Sequence, residues 1–346
     1  MPFQKFVFLI VLVGFIHVIL FKLLLDCYRL DYQQRYKAYI RPVFGKVKIS
    51  KIKYSDVKSF YFSIIKDKNL SFSSVCGINI VLNAIFKLAV RDGIIRTNPC
   101  ENILPEFRGV AKKAEKVYAL TVEEQNKFID YVSNSDVYRH YLPIFAVMLG
   151  TGCRIGEVSA LCWGDIDFNE NIIKIRRTLH YKTSENGKCE YHMNSTKTKS
   201  GERDIPMLKE VRKILMAEKK RQLKEGMADM EVDGIKGFVF VTRAKHPYTS
   251  DILNSAIKRT CTAINKQEKK IAKKEGRKPF VIRNFTSHTF RHTFATRLCE
   301  NETNLKAIQD IMGHNDIKTT MNIYAEATRE VKQRSMDSLD GKFKLI

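Results

Sequence analysis

Residues 286–324 read TSHTFRHTFATRLCENETNLKAIQDIMGHNDIKTTMNIY. His288 and Arg291 stand three apart, so a helix beginning near Thr286 carries both on one face. The next segment, ENETNLKAIQDIMGH, has helical periodicity and closes on Gly313 followed by His314. Tyr324 comes ten residues after His314. Two cations on one helical face, a second histidine and a solitary tyrosine are the side chains that phosphate chemistry calls on. His292 falls on another side of the helix with Phe290 and Phe294 nearby, which reads as packing. A zinc pair of His288 and His292 lacks both the HExxH base and a third ligand.

Working outward, residues 149–163 read LGTGCRIGEVSALCW. Gly150 and Gly152 permit a close backbone approach, and Arg154 falls on the first turn of the helix they introduce. A helix N-terminus favours phosphate through its free N–H groups and dipole, and an arginine there adds a bidentate grip. Glu157 lies three residues on, on the same face, placed to orient Arg154. Residues 165–206 then change period. DFNENIIKIRRTLHY alternates as a strand, SENGK is a polar turn, and TKTKSGERDIPM carries a hairpin signal at Ser200-Gly201. Lys197 precedes that turn, Arg203 follows it, and Lys199 lies beside it.

The remaining elements of this half are simpler. Thr121-Val-Glu-Glu124 is a capping box for a helix through Val132, and a second helix is expected over 138–149. An amphipathic, charged helix is expected over 209–224, a short buried strand at GFVFVT (237–242), and a helix over 251–273. Between Lys266 and Arg283 there are eight Lys/Arg against two Glu.

Residues 31–104 read as a small helical domain. YQQRYKAYIRPVFG (32–45) stops at Pro42 and Gly45, Ser55 is an N-cap for DVKSFYFSIIK, and Ser73 or Ser74 opens a helix ending at Gly93. Lys46, Lys48, Lys51 and Lys53 fall between helices, placed to grip a nucleic-acid backbone. PEFRGVAKKAEKVY (105–118), short of large apolar residues, reads as an interdomain linker. Residues 119–332 form the second domain and 333–346 a tail. Residues 1–30 form an apolar N-terminal segment. Its run 6–25 is long enough to span a bilayer, and the following basic residues would leave the bulk of the chain cytoplasmic. An altered start is the other reading.

The chain has 60 Lys+Arg against 37 Asp+Glu, a formal net charge of +23 over 346 residues. That excess predicts a polyanionic partner; double-stranded DNA leads because each neutralised phosphate releases a counterion. Anionic membrane is the competing partner. Eight scattered cysteines without a CxxC argue against a zinc module or disulfide framework and for reduced cytosolic thiols.

Taken together, Arg154 in TGCRIGE, Lys197 in KTKSGERDIP, His288-x-x-Arg291, His314 in MGH and Tyr324 resemble the tyrosine recombinase (phage integrase) family. The KTKSGERDIP stretch and the His-to-Tyr interval look most like integrases of conjugative transposons and related phages. The resemblance implies a mainly α fold with a small antiparallel β-sheet. A helical SAM-like core-binding domain (31–104) would precede a tyrosine-recombinase catalytic domain (119–332). The arm-binding domain with which such integrases often begin is not found.

The resemblance implies site-specific cleavage and rejoining of DNA through a 3′-phosphotyrosyl intermediate, integrating or excising a mobile element. Tyr324 would be the nucleophile, Arg154, Arg291 and His314 the phosphate clamp, Lys197 the acid for the leaving 5′ oxygen and His288 the acid/base. Glu157 and Gly313 support them; Lys199 and Arg203 join the DNA-contacting cations. No metal or other cofactor is called for. The expected partners are DNA, a homotetramer assembled on it, and accessory directionality or DNA-bending proteins. The tail would dock on a neighbouring subunit. The expected location is the cytoplasm, at the nucleoid. A decayed DNA-binding remnant, a type IB topoisomerase-like enzyme and a membrane-anchored protein are the other readings.

Overall fold

The computed structural model describes residues 26–113, 118–183, 188–196 and 201–337. The apolar run 6–25, Lys197, Lys199, Ser200 and the last residues of the tail lie outside the described residues. Contacts divide the chain into two units, Met1–Lys116 and Val117–Ile346.

In the first unit, helix α1 (Asp26–Arg35) passes through a π turn (Tyr36–Ile40) into α2 (Arg41–Phe44). The expected stop at Pro42 does not occur. Proline donates no N–H to the preceding turn, and that turn is a wide one in which the Arg41 N–H reaches the Tyr36 carbonyl. Helix α3 (Tyr54–Lys68) is capped at Lys53 rather than Ser55, because the Asp56 carboxylate accepts the Lys53 N–H at 2.8 Å. Helix α4 (Phe72–Arg91) opens at Ser71, whose Oγ accepts the Ser74 N–H at 3.3 Å; Ser73 and Ser74 are inside the helix. The Arg35 guanidinium packs over Gly77 of α4, in the space a Cβ there would take, so a larger residue would make that flexible side chain shift.

Ile40, Phe60, Tyr61, Ile78, Leu82 and Phe86 form the core of this unit. Phe107 and Ala111 complete it, with the Phe107 ring 5.4 Å from Tyr61 edge-on. Lys112 N–H bonds the Leu70 carbonyl at 3.1 Å. Most of the stretch read as a linker is therefore packed into the first unit. One aromatic anchors an otherwise charged sequence.

The second unit begins with α5 (Val122–Ser133). Its capping box forms as read: Thr121 Oγ1 accepts the Glu124 N–H at 3.0 Å and Glu124 accepts the Thr121 N–H at 2.9 Å. The helix expected over 138–149 is a 3₁₀ turn (Arg139–Tyr141) followed by α6 (Leu142–Thr151), with Pro143 in the first turn. After α7 (Ile155–Ser159) come β1 (Ile166–Asp167), β2 (Ile172–Ile175), β3 (Arg177–Thr183), β4 (Cys189–Ser195) and β5 (Arg203–Pro206). Strands β1, β2 and β5 form one antiparallel sheet, and β3 pairs with β4 in another. The strands flanking Ser200-Gly201 thus pair in different sheets, so this connection is not a hairpin. Strands β3 and β4, adjacent in sequence, form the antiparallel pair.

Residues 237–242 form isolated bridges, Cys162 with Phe238 and Val241 with Pro247, rather than a strand. Their buried apolar side chains satisfy the same pattern without a ladder. Helices α8 (Lys209–Glu225), α9 (Ser250–Glu275), α10 (Ser287–Asn301), α11 (Leu305–Met312) and α12 (Ile317–Asp337) complete the unit. Phe128 of α5 meets Phe145 of α6 at 5.6 Å and Phe290 of α10 at 5.7 Å, in tilted and edge geometry. This aromatic cluster, favoured beyond its area by ring quadrupoles, fixes α10, which carries Arg291, against α6, which leads into the turn before Arg154. In the basic run 266–283, Glu268 is buried and holds Lys127 at 2.6 Å and Arg277 at 2.5 Å.

Candidate active site

Helix α6 ends at Gly152, which takes the left-handed conformation (φ +63°). A Cβ there would lie 2.4 Å from the Phe294 ring, so the close approach foreseen from the glycines is real and is made to α10. The turn places Arg154 as the N-cap of α7, one residue ahead of its first turn. Glu157 accepts the Arg154 backbone N–H at 2.9 Å through Oε2 and its guanidinium at 2.8 Å through Oε1. Burial opposes ionisation of Glu157. The hydrogen bond and charge of Arg203, with Arg154 behind them, outweigh it and hold the carboxyl below its ordinary value.

The last carbonyls of a helix lack intrahelical partners and carry the negative end of its dipole. Helix α11 ends at Gly313 in the left-handed conformation, and three successive carbonyls there each accept from a different arginine. Ile311 O takes Arg203 Nε at 2.8 Å, Met312 O takes Arg291 at 2.6 Å, and Gly313 O takes Arg154 at 3.2 Å. Arg291 also donates to Gly152 O at 2.7 Å. It is 4% exposed, and desolvation, then the neighbouring Arg154, lowers its pKa to about 10; it stays a cation at neutral pH. Half of the Arg154 side chain remains open to solvent, beside a cavity of about 530 Å³ that Gly156, Thr178, Lys182, Thr196 and Asn315 help to line.

The residue after this helix end is His314, 7% exposed. Its Nδ1 meets Thr320 Oγ1 at 2.9 Å and its carbonyl accepts Gln309 Nε2 at 3.0 Å. Desolvation, then the charges of Arg291, Arg154 and Arg203, pull its pKa down to about 4. The ring is neutral at physiological pH. The Thr320 hydroxyl can donate to Nδ1, and in that tautomer the ring proton is on Nε2, available to an acceptor in the site. His288, exposed at the start of α10, is lowered by desolvation and then by Arg291, His292 and Arg154. Tyr324 lies one turn of α12 beyond Thr320, half-buried against a cluster of Ala295, Cys299, Ile308, Met312 and Ala327 from α10, α11 and α12.

The structure thus brings Arg154, Glu157, His288, Arg291, Gly313 and His314 to one place, with Tyr324 on the helix packed beside it. Lys197 and Lys199 lie outside the described residues. Lys46, Lys48, Lys51 and Lys53 are exposed around a 3₁₀ turn (Ile49–Lys51) of the first unit. Arg203 is a correction. Expected at a DNA-facing turn, it is 8% exposed and bonds Glu157 Oε2 at 2.8 Å, Ile311 O and Gly201 O. Glu157 and Ile311 lie far from it in sequence, so spacing could not reveal them. Thr320 was not anticipated; its role follows only from the fold of α12 against His314.

The model of the phage integrase family matches residues 119–330. The transposase of transposon Tn916 from Enterococcus faecalis is 29% identical over 299 residues, covering 86% of this chain and 68% of that protein. A tyrosine recombinase XerC-like protein of Caldanaerobacter subterraneus subsp. tengcongensis is 27% identical over 321 residues, covering 90% and 77%. Among solved structures, the Tn1549 transposon integrase in complex with transposon right-end DNA is similar at a TM-score of 0.77 and 28% identity, covering 92% of this chain and 95% of that one.

Proposed function

The chain belongs to the phage integrase family, the tyrosine recombinases, and from that premise we propose that it integrates or excises a mobile element by the site described above. It is a DNA strand-transferring enzyme of conjugative-transposon type. The observation that carries the residue assignment is the convergence of Arg154, Arg291 and His314 on the end of α11.

The chemistry requires such an arrangement. A tyrosine hydroxyl, with an unperturbed pKa of about 10, is a weak nucleophile and must approach a phosphodiester that repels anions. Arg154 and Arg291 clamp the two non-bridging oxygens as charge builds on phosphorus, and neutral His314 donates from Nε2. Removing one such donor costs on the order of 3 kcal/mol of transition-state stabilisation. Tyr324 Oη attacks phosphorus, its proton passing to His288. The P–O5′ bond breaks, and Lys197 protonates the departing 5′ oxygen. The 3′-phosphotyrosyl linkage conserves the bond energy, so a second 5′-hydroxyl reverses the step on a new strand without ATP.

Double-stranded DNA is the partner that the net charge of +23 and the DNA-bound relatives support. The exposed lysines at 46, 48, 51 and 53 supply backbone contacts. Exchange between two duplexes needs four tyrosines, hence a tetramer assembled on DNA, joined by directionality or DNA-bending proteins; it works in the cytoplasm, at the nucleoid. The full chain, incubated with duplexes carrying the element's two junctions, yields recombinant joints. Relaxation of supercoiled plasmid with no joint under any condition would overturn this in favour of a topoisomerase.

A further inference from the structure

Of the three arginines on the end of α11, Arg154 is half open to solvent while Arg291 and Arg203 are buried, and of these two it is Arg203 that meets the Glu157 carboxylate. Its side chain is 5% exposed and lies behind Glu157. One guanidinium holds four groups: Glu157 Oε2 at 2.8 Å, Ile311 O at 2.8 Å, Gly201 O at 3.1 Å and Cys153 Sγ at 3.7 Å. Glu157 in turn fixes the Arg154 guanidinium through its other oxygen. Ile311 stands three residues before His314 on the helix end that Arg154 and Arg291 also grip. The Glu157 carboxylate thus has a guanidinium on each oxygen, Arg154 on Oε1 and Arg203 on Oε2, and the two together fix its plane.

We propose that Arg203 is a positioning residue for strand cleavage, locking the Glu157–Arg154 pair to the α11 terminus so that Arg154 and His314 present one preset cradle to the scissile phosphate. The inference rests on the function proposed above. It reassigns a residue expected to touch DNA to one that acts only through Arg154 and His314. The planar fork is what the place demands. Lysine, a point charge with no fixed fork, keeps the ion pair with Glu157 but cannot span the carboxylate and the Ile311 and Gly201 carbonyls together.

The test is Arg203→Lys in the full chain, with single-turnover cleavage of two junction duplexes. One has an ordinary scissile phosphate. The other has a methylphosphonate, which lacks the anionic oxygen that a clamp neutralises. Cleavage of the ordinary phosphate is expected to fall roughly 100-fold, with binding of the uncleaved site changed less than about threefold. On the methylphosphonate the loss is expected to shrink to below about tenfold, because there is less charge to hold. Each rate is first-order in bound complex, so the ratio of the two rates on one preparation does not depend on how much protein is folded. An equal loss on both substrates, or none on either, would overturn the positioning role while leaving the family chemistry intact. Absence of any adduct from the parent chain would instead refute the function on which the inference rests.

Discussion

His314 shows what enclosure by cations does to a single side chain. With its ring buried and Arg291, Arg154 and Arg203 around it, protonation is deferred to about pH 4. In the unfolded chain the same ring titrates near its ordinary value of about 6.5. Between these values the unfolded state binds a proton that the native state refuses. Acid therefore favours unfolding across that window, and stability rises as pH climbs from about 4 to about 6.5, then stops depending on this residue. The span corresponds to about 3 kcal/mol. Urea unfolding of the parent and of His314→Gln at intervals across the window should give a visibly shallower pH slope for the variant; equal slopes would contradict the assignment. At this scale the sequence was readable wherever local context sufficed: Arg154, Arg291, His314 and Tyr324 announce themselves by motif. Arg203 and Thr320 do not, since their partners are supplied by tertiary approach.

At the scale of elements, two left-handed glycines do much of the placing. Gly152 ends α6 and Gly313 ends α11, and the arginines of α7 and α10 meet between them. Gly152→Ala faces a positive φ and a contact of 2.4 Å with the Phe294 ring. It should cost about 1–3 kcal/mol and lower cleavage with it. Gly164→Ala, with nothing within 4 Å and no positive φ, should stay within about 0.5 kcal/mol of the parent. Thermal unfolding of the pair checks both; equal melting temperatures would contradict the account. The Thr121 capping box was legible because its two partners are three residues apart. The Ser200-Gly201 hairpin was misread for the opposite reason. Turn chemistry marks a change of direction but not which strand the chain pairs with next, and β5 pairs with β2. The capping of α3 at Lys53 shows the same limit, a carboxylate at N3 prevailing over a serine.

Over the whole molecule, the described site residues come from α7, α10, α12 and the turn after α11, all within the second unit. The aromatic cluster of Phe128, Phe145, Phe285 and Phe290 ties α5, α6 and α10 together beneath them. Composition pointed to a polyanion and the motifs to the family. That three arginines would share one helix end was beyond either, because it depends on how four segments meet. Tyr324 is the proposed nucleophile, attacking the phosphate that the assembled cradle holds. A junction duplex nicked next to the scissile phosphate traps the covalent complex by losing the short strand that would religate. With the full chain, a 3′-phosphotyrosyl adduct should accumulate and map to the peptide containing Tyr324. Tyr324→Phe should bind the same duplex and form none. An adduct that persists in Tyr324→Phe, or that maps to another residue, would contradict the account.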